Sequence, residues 1–250
     1  TFTQLVNDKT TIVPKNIATG SFIGNTKILS QDQNIFVFYQ LSTQNGNAVP
    51  QFYVLISDDD GKTFSEPKLI LTVDDVYYDV ADVEFVNEKL YVFGTMWTRE
   101  ENTSYAFYSV SDDFGNTFSE PHKLFNQGKM RQDIVTTTSN GVIYILMDDE
   151  KDYDEKGSLY IRKILSDGTL TDIVNVNGGK TTVTYPKFAV FEENVYVSWM
   201  DRVNERGNFG ITERWYQVFT KSHDGGKTFD DVITFNSDPK SIDTVGTEGD

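Results

Sequence analysis

Cysteine is absent from this chain of 250 residues, which removes disulfides, thiolate nucleophiles and cysteine-ligated zinc at the outset. Compartment stays open on that count, because a chain this long can bury a core that needs no covalent staples. Histidine occurs twice, at His122 and His223, both beside the repeated turn described below, so a Ser-His-Asp relay would have to form there or nowhere. Basic residues are scarce: 22 Lys and Arg face 38 Asp and Glu, a formal charge of −16. The charge therefore argues against nucleic acid and disfavours anionic lipid as partners, since both are held by neutralising phosphate with cations. Long hydrophobic runs are missing too. The longest, "VIYILM" from Val142 to Met147, falls far short of the roughly 20 residues that cross a bilayer, so no membrane insertion is expected.

Aromatics are plentiful, with 18 Phe, 13 Tyr and 3 Trp. They sit among Val, Ile and Thr in short runs without helical periodicity, which reads as all-β. Three octapeptides punctuate these runs: "SDDDGKTF" at Ser57 to Phe64, "SDDFGNTF" at Ser111 to Phe118 and "SHDGGKTF" at Ser222 to Phe229. Their common pattern is S-x-D-x-G-x-T-F. Ser57, Asp59, Ser111, Asp113, Ser222 and Asp224 supply oxygens that can accept from nearby backbone N–H groups and hold a turn. Gly61, Gly115 and Gly226 fit a left-handed backbone position. Thr63 and Phe64, Thr117 and Phe118, and Thr228 and Phe229 are expected to open an outer strand, with each Phe turned inward.

The surroundings recur as well. An aromatic-led run precedes each octapeptide ("IFVFYQ", "LYVFGTMW", "VYVSWMD"), and a weaker fourth copy, "GVIYILMDD" followed by "SLYIRKILSDGTL", fills the double gap. From Phe36 to Tyr91, Tyr144 and Tyr196 the steps are 55, 53 and 52 residues, a period that with four strands per unit predicts a β-propeller blade. The repeats are placed at 20–70, 71–125, 126–176 and 177–235, within a single propeller over 1–250. Residues 1–19 and 236–250 are expected to be partial or ring-closing segments of a ring of five to seven blades, with the chain a window on a longer protein.

The octapeptide resembles the Asp-box of sialidase-like (BNR) repeat proteins. That resemblance implies four-stranded antiparallel blades, with the box joining the third and fourth strands on the perimeter as scaffold. It also implies that an active sialidase would carry an arginine triad, an R-I-P element, an aspartate acid/base and a tyrosine–glutamate nucleophile. No R-I-P occurs here, and of the arginines only Arg131 precedes an inner strand. No catalytic residue and no metal site is therefore assigned. Candidate face residues are Asp79, Asp82, Arg131, Asp133 and Tyr185, with Tyr77, Tyr78, Trp97 and Tyr153 as further exposed aromatics. No cofactor is expected. The acidic loop Asp148 to Gly157 has the oxygen-rich composition of a Ca²⁺ site but not the spacing of an EF-hand, and one N-x-S sequon begins at Asn102. The expected function is non-catalytic: an extracellular or cell-surface propeller that binds a glycan or a surface protein through one loop face. The alternatives are a sialidase-like glycoside hydrolase and an architectural domain of a surface lattice.

Overall fold

The computed structural model describes residues 2–3, 14–15, 22–42, 51–71, 76–98, 103–125, 134–149, 157–207 and 210–235. Every regular element among them is a β-strand. Beyond a two-stranded pair, β1 (Phe2–Thr3) with β2 (Pro14–Lys15), the strands form four antiparallel sheets in which sequence neighbours pair in order. Sheet 1 holds β3 (Phe22–Gln31), β4 (Asn34–Ser42), β5 (Gln51–Ser57) and β6 (Lys68–Leu71). Sheet 2 holds β7 (Val76–Val86), β8 (Lys89–Thr98), β9 (Thr103–Ser111) and β10 (His122–Phe125). Sheet 3 holds β11 (Ile134–Ser139), β12 (Val142–Asp149), β13 (Ser158–Ile164) and β14 (Val174–Asn175). Sheet 4 holds β15 (Thr184–Phe191), β16 (Asn194–Gly207), β17 (Gly210–Ser222) and β18 (Ile233–Thr234). Each octapeptide connects the third and fourth strands of its sheet. The chain divides into two compact units, Thr1–Phe125 with sheets 1 and 2 and Asn126–Asp250 with sheets 3 and 4.

Tight two-residue hairpins join the first and second strands, and their sequences explain them. Asn87 and Glu88 both take positive φ, as do Asn140 and Gly141, the doubly left-handed turn whose twist matches that of the flanking strands. In the first unit, Phe36, Phe38, Phe52 and Val54 of sheet 1 pack with Val83, Leu90, Val92 and Phe107 of sheet 2. In the second, Tyr144, Leu146, Leu159 and Ile161 of sheet 3 pack with Val195, Val197, Trp199 and Val218 of sheet 4.

One sequence expectation is corrected. The outer strands begin at Lys68, His122 and Ile233, four residues past each box phenylalanine and not at the Thr-Phe pair, because the residue after that phenylalanine is held by one backbone bond and one side-chain bond in place of a continuous ladder. Phe64, Phe118 and Phe229 are half-buried and pack against the margins of their cores.

Trp199 is completely buried, and its Nε1 donates to Thr181 Oγ1 at 3.1 Å. Truncating it removes a large packed side chain, so Trp199→Ala is expected to cost about 3–5 kcal/mol. Tyr196→Ala, on the same strand but 37% exposed, should cost clearly less. Urea unfolding followed by circular dichroism checks the order.

Candidate functional site

Two sets of polar side chains occupy opposite ends of the sheets. The first is the octapeptide corner. In sheet 1, Ser57 Oγ donates to Asp59 Oδ1 at 2.8 Å and accepts from Gly61 N at 2.8 Å. Thr63 closes the loop, its N donating to Asp59 Oδ1 at 2.9 Å and its Oγ1 to Oδ2 at 2.7 Å. Sheet 2 repeats this with Ser111, Asp113, Gly115 and Thr117 at 2.6–2.8 Å. Sheet 4 repeats it with Ser222, Asp224, Gly226 and Thr228 at 2.7–2.9 Å. The residue before each glycine is also left-handed: Asp60 at φ 58°, Phe114 at φ 57° and Gly225 at φ 72°. Both oxygens of each carboxylate are thus engaged by donors of its own loop. The Thr63 N–H foremost holds Asp59 down to about 2, and the Thr117 hydroxyl foremost holds Asp113 to about 2. Asp224 is lowered further, chiefly by the Thr228 N–H. A carboxyl so acidic has no proton to give at neutral pH, and donors of its own loop already hold both of its oxygens.

A second lock follows each corner, and it is the feature that sequence reasoning missed. Ser65 N donates to Ile56 O at 2.8 Å while Ile56 N donates to Ser65 Oγ at 3.1 Å. Ser119 does the same with Val110, and Thr171 with Lys163. Asp230 N reaches Lys221 O at 2.8 Å. Sheet 3 keeps this lock although its corner has shrunk to a hairpin around Gly168, closed by Leu165 N donating to Thr169 O at 2.9 Å. The signal was present in the paired "SEP" triplets after the first two octapeptides.

The second set lies on the first strands, away from the corners. β3 slips register between Gly24 and Lys27, β7 between Val80 and Asp82, and β15 between Thr184 and Lys187. The residues after the slip face Phe38, Phe93 and Ser198, the same level of each second strand, so Lys27, Asp82 and Lys187 are equivalent. Bulges bend a strand and re-aim its side chains, which suits the rim of a binding surface. In the first unit Lys27 Nζ lies 3.9 Å from Asp82 Oδ1, both side chains partly exposed. In the second, Tyr185 sits within the bulge at φ 52° and is 69% exposed. A bulky residue in that conformation stores local strain. The segment leading to Tyr185 is pinned: Thr182 N and Oγ1 donate to Asp201 Oδ1 at 2.8 and 3.0 Å.

Of the sequence candidates, Asp82 and Tyr185 fall on these bulges. Asp79 pairs in register with Thr95 within β7. Arg131, Asp133 and Tyr153 lie outside the described residues, as does 150–156 of the acidic loop. Among the described residues no group of three or more His, Asp or Glu side chains could hold a metal ion.

No protein-family model and no curated protein sequence matches the chain; the likeness lies in structure. An α-L-arabinofuranosidase of Fusarium graminearum superposes with a TM-score of 0.54 at 13% identity over 89% of this chain and 68% of that one. The NanB sialidase of Streptococcus pneumoniae gives 0.56 at 8% identity, covering 87% of this chain and 52% of its own. A Trypanosoma rangeli sialidase gives 0.56 at 16% identity, covering 84% and 37%. These are β-propellers, and the chain has that fold, with sheets of the propeller-blade type.

The corner carboxylates set an acid limit on stability. A folded value near 2 for Asp113, against about 3.9 in an unfolded chain, means that its stabilisation is present above about pH 4 and is lost as pH falls towards 2. The urea midpoint should therefore hold between pH 7 and 5 and drop below 4. Asp113→Ala should lower the midpoint at pH 7 and flatten the acid limb.

Proposed function

We propose that this chain is a non-catalytic, glycan-binding β-propeller segment that works outside the cell or at its surface. The observation that carries the reading is the bulged rim. It presents Tyr185, an exposed ring held in a strained conformation, on the same bulge as the exposed Lys187, on a fold shared with proteins named for action on arabinofuranosides and sialosides. A sugar ring offers an apolar face to stack on an aromatic and a rim of hydroxyls for charged partners. The repeated octapeptides are Asp-boxes in a scaffold role on this reading, since their carboxylates are spent inside the corner. The acidic balance of the chain, −16, favours neutral or cation-bridged glycans over strongly anionic ones. A surface protein bearing such glycans fits equally well as the physiological carrier.

The second reading, a glycoside hydrolase, draws on the names of the neighbours, and one experiment separates the two. The chain is screened against a glycan array, with hits measured by calorimetry, and incubated with aryl sialosides and aryl arabinofuranosides. Saturable binding without turnover is expected. Tyr185→Ala should weaken binding about tenfold, or 1.4 kcal/mol, with an unchanged unfolding midpoint. Turnover abolished by Arg131→Ala would overturn the non-catalytic reading.

A further inference from the structure

The connection from sheet 3 to sheet 4, all of it in the second unit, is tied to both sheets. Asn177 is buried. Its Oδ1 accepts from Leu159 N at 2.9 Å and its Nδ2 donates to Gly157 O at 3.1 Å, which anchors the connection to β13 and the residue before it. Nδ2 also donates to Thr181 Oγ1 at 3.1 Å, and that oxygen accepts from Trp199 Nε1 of β16 at 3.1 Å. Thr182 carries the tie further along β16. Beyond its two bonds to Asp201 Oδ1, its Oγ1 accepts from Arg202 N at 2.6 Å. Two successive threonines therefore fix the chain just before Tyr185.

Tyr185 differs from the other left-handed residues. Among the described residues, Asp32, Asn87, Glu88, Asn140 and Glu192 turn two-residue hairpins, and Asp60 and Phe114 turn octapeptide corners, whereas Tyr185, at φ 52°, lies inside a strand. The next residue is Pro186, and a residue before proline prefers the extended region at negative φ. Thr184 pairs with Met200 and Lys187 with Ser198, so Tyr185 and Pro186 together stand opposite Trp199. Pro186 is buried and brings no N–H to the ladder; Gln217 Nε2 donates to Trp199 O at 3.1 Å. A glycine would take the conformation of Tyr185 without strain. A tyrosine keeps it only where its surroundings over-determine it.

We infer that Thr182 and Asp201 are positioning residues of the bulged rim: their bonds hold the Tyr185 backbone left-handed and so set where its ring stands. The inference rests on the reading of Tyr185 as the recognition ring. Thr182 fixes the chain on one side of Tyr185 and the buried Pro186 fixes it on the other. Cutting the Thr182 bonds leaves the residue free to relax to negative φ, which swings the ring away from its place beside Lys187.

The test reads the Tyr185 backbone by NMR. The chain carries isotope-labelled, protonated tyrosine in a deuterated background, and the Tyr185 amide is assigned by its loss in Tyr185→Phe. A residue at positive φ holds its amide and α protons close together and gives a strong NOE between them. That NOE is expected in the native chain and in Thr182→Ser, which keeps the hydroxyl, and should be lost in Thr182→Val while the signals of Tyr144 and Tyr160 in sheet 3 stay in place. Asp201→Ser is the second cut if Thr182→Val does not fold. A strong NOE that survives the cut would overturn the inference, because the bulge alone would then hold the residue. Urea midpoints give an independent arm. Tyr185→Gly should unfold above Tyr185→Ala, since both lose the ring and only glycine takes positive φ freely, and the gap should close in the Thr182→Val background. An equal or reversed order in the otherwise native chain would also overturn the inference. Neither arm needs a ligand, so a chain that bound no glycan would defeat the proposed function and leave this inference to the NOE and the midpoints.

Discussion

One carboxylate with three donors from its own loop sets the geometry of each complete corner. A turn between two strands leaves several N–H groups without ladder partners, and an unpaired polar group costs more than a made hydrogen bond returns. Here Ser57, Asp59 and Thr63 take up those groups among themselves, and the same three residue types do so again in sheets 2 and 4. Because the donors are local, the corner does not depend on burial and can stand at an exposed sheet end. Its second product is the pair of successive left-handed residues, which brings the glycine backbone close to the neighbouring sheet. Gly115 has the Ile56 and Leu90 side chains at 3.3 Å from where a Cβ would be. The turn therefore closes its own sheet and helps to join two.

The division of labour between the two ends follows from this. The corner end is chemically saturated: its acids are ionised, bonded and strongly acidic. The opposite end carries the irregularities, namely the register slips of β3, β7 and β15, a strained Tyr185 and the Lys27–Asp82 approach. Irregular backbone and exposed side chains are where recognition is commonly built, on a scaffold whose rigidity comes from elsewhere.

Much of the fold was legible because it is repetitive. The 55-, 53- and 52-residue steps between aromatic runs and the fixed S-x-D-x-G-x-T-F spacing each correspond to a physical demand, a strand pair and a left-handed turn. The bulges were not legible. Gly24 to Lys27 and Thr184 to Lys187 both end in lysine, but Val80 to Asp82 shares no residue type with either, since a slip in register is decided by how the strand meets its neighbour and not by a side chain at the slip. The second lock was half visible. Ser65 and Ser119 match, but Thr171 does the same work with another side chain, Asp230 joins through its backbone N–H, and half of that lock is backbone to backbone. Asp82 was singled out for its charge, whereas its equivalence to Lys27 and Lys187 emerges only from the register.

Sheet 3 shows which part of the corner is dispensable. It has lost the octapeptide but returns its chain to the outer strand through Thr171 and Lys163 with the same pair of bonds. Loop length at that point is thus uncoupled from strand pairing, and Gly168 has nothing within 4 Å of a would-be Cβ. Foreign sequence inserted at Gly168 would meet no packed neighbour and would leave the Thr171–Lys163 bonds outside it, which makes this hairpin a natural graft point of the molecule.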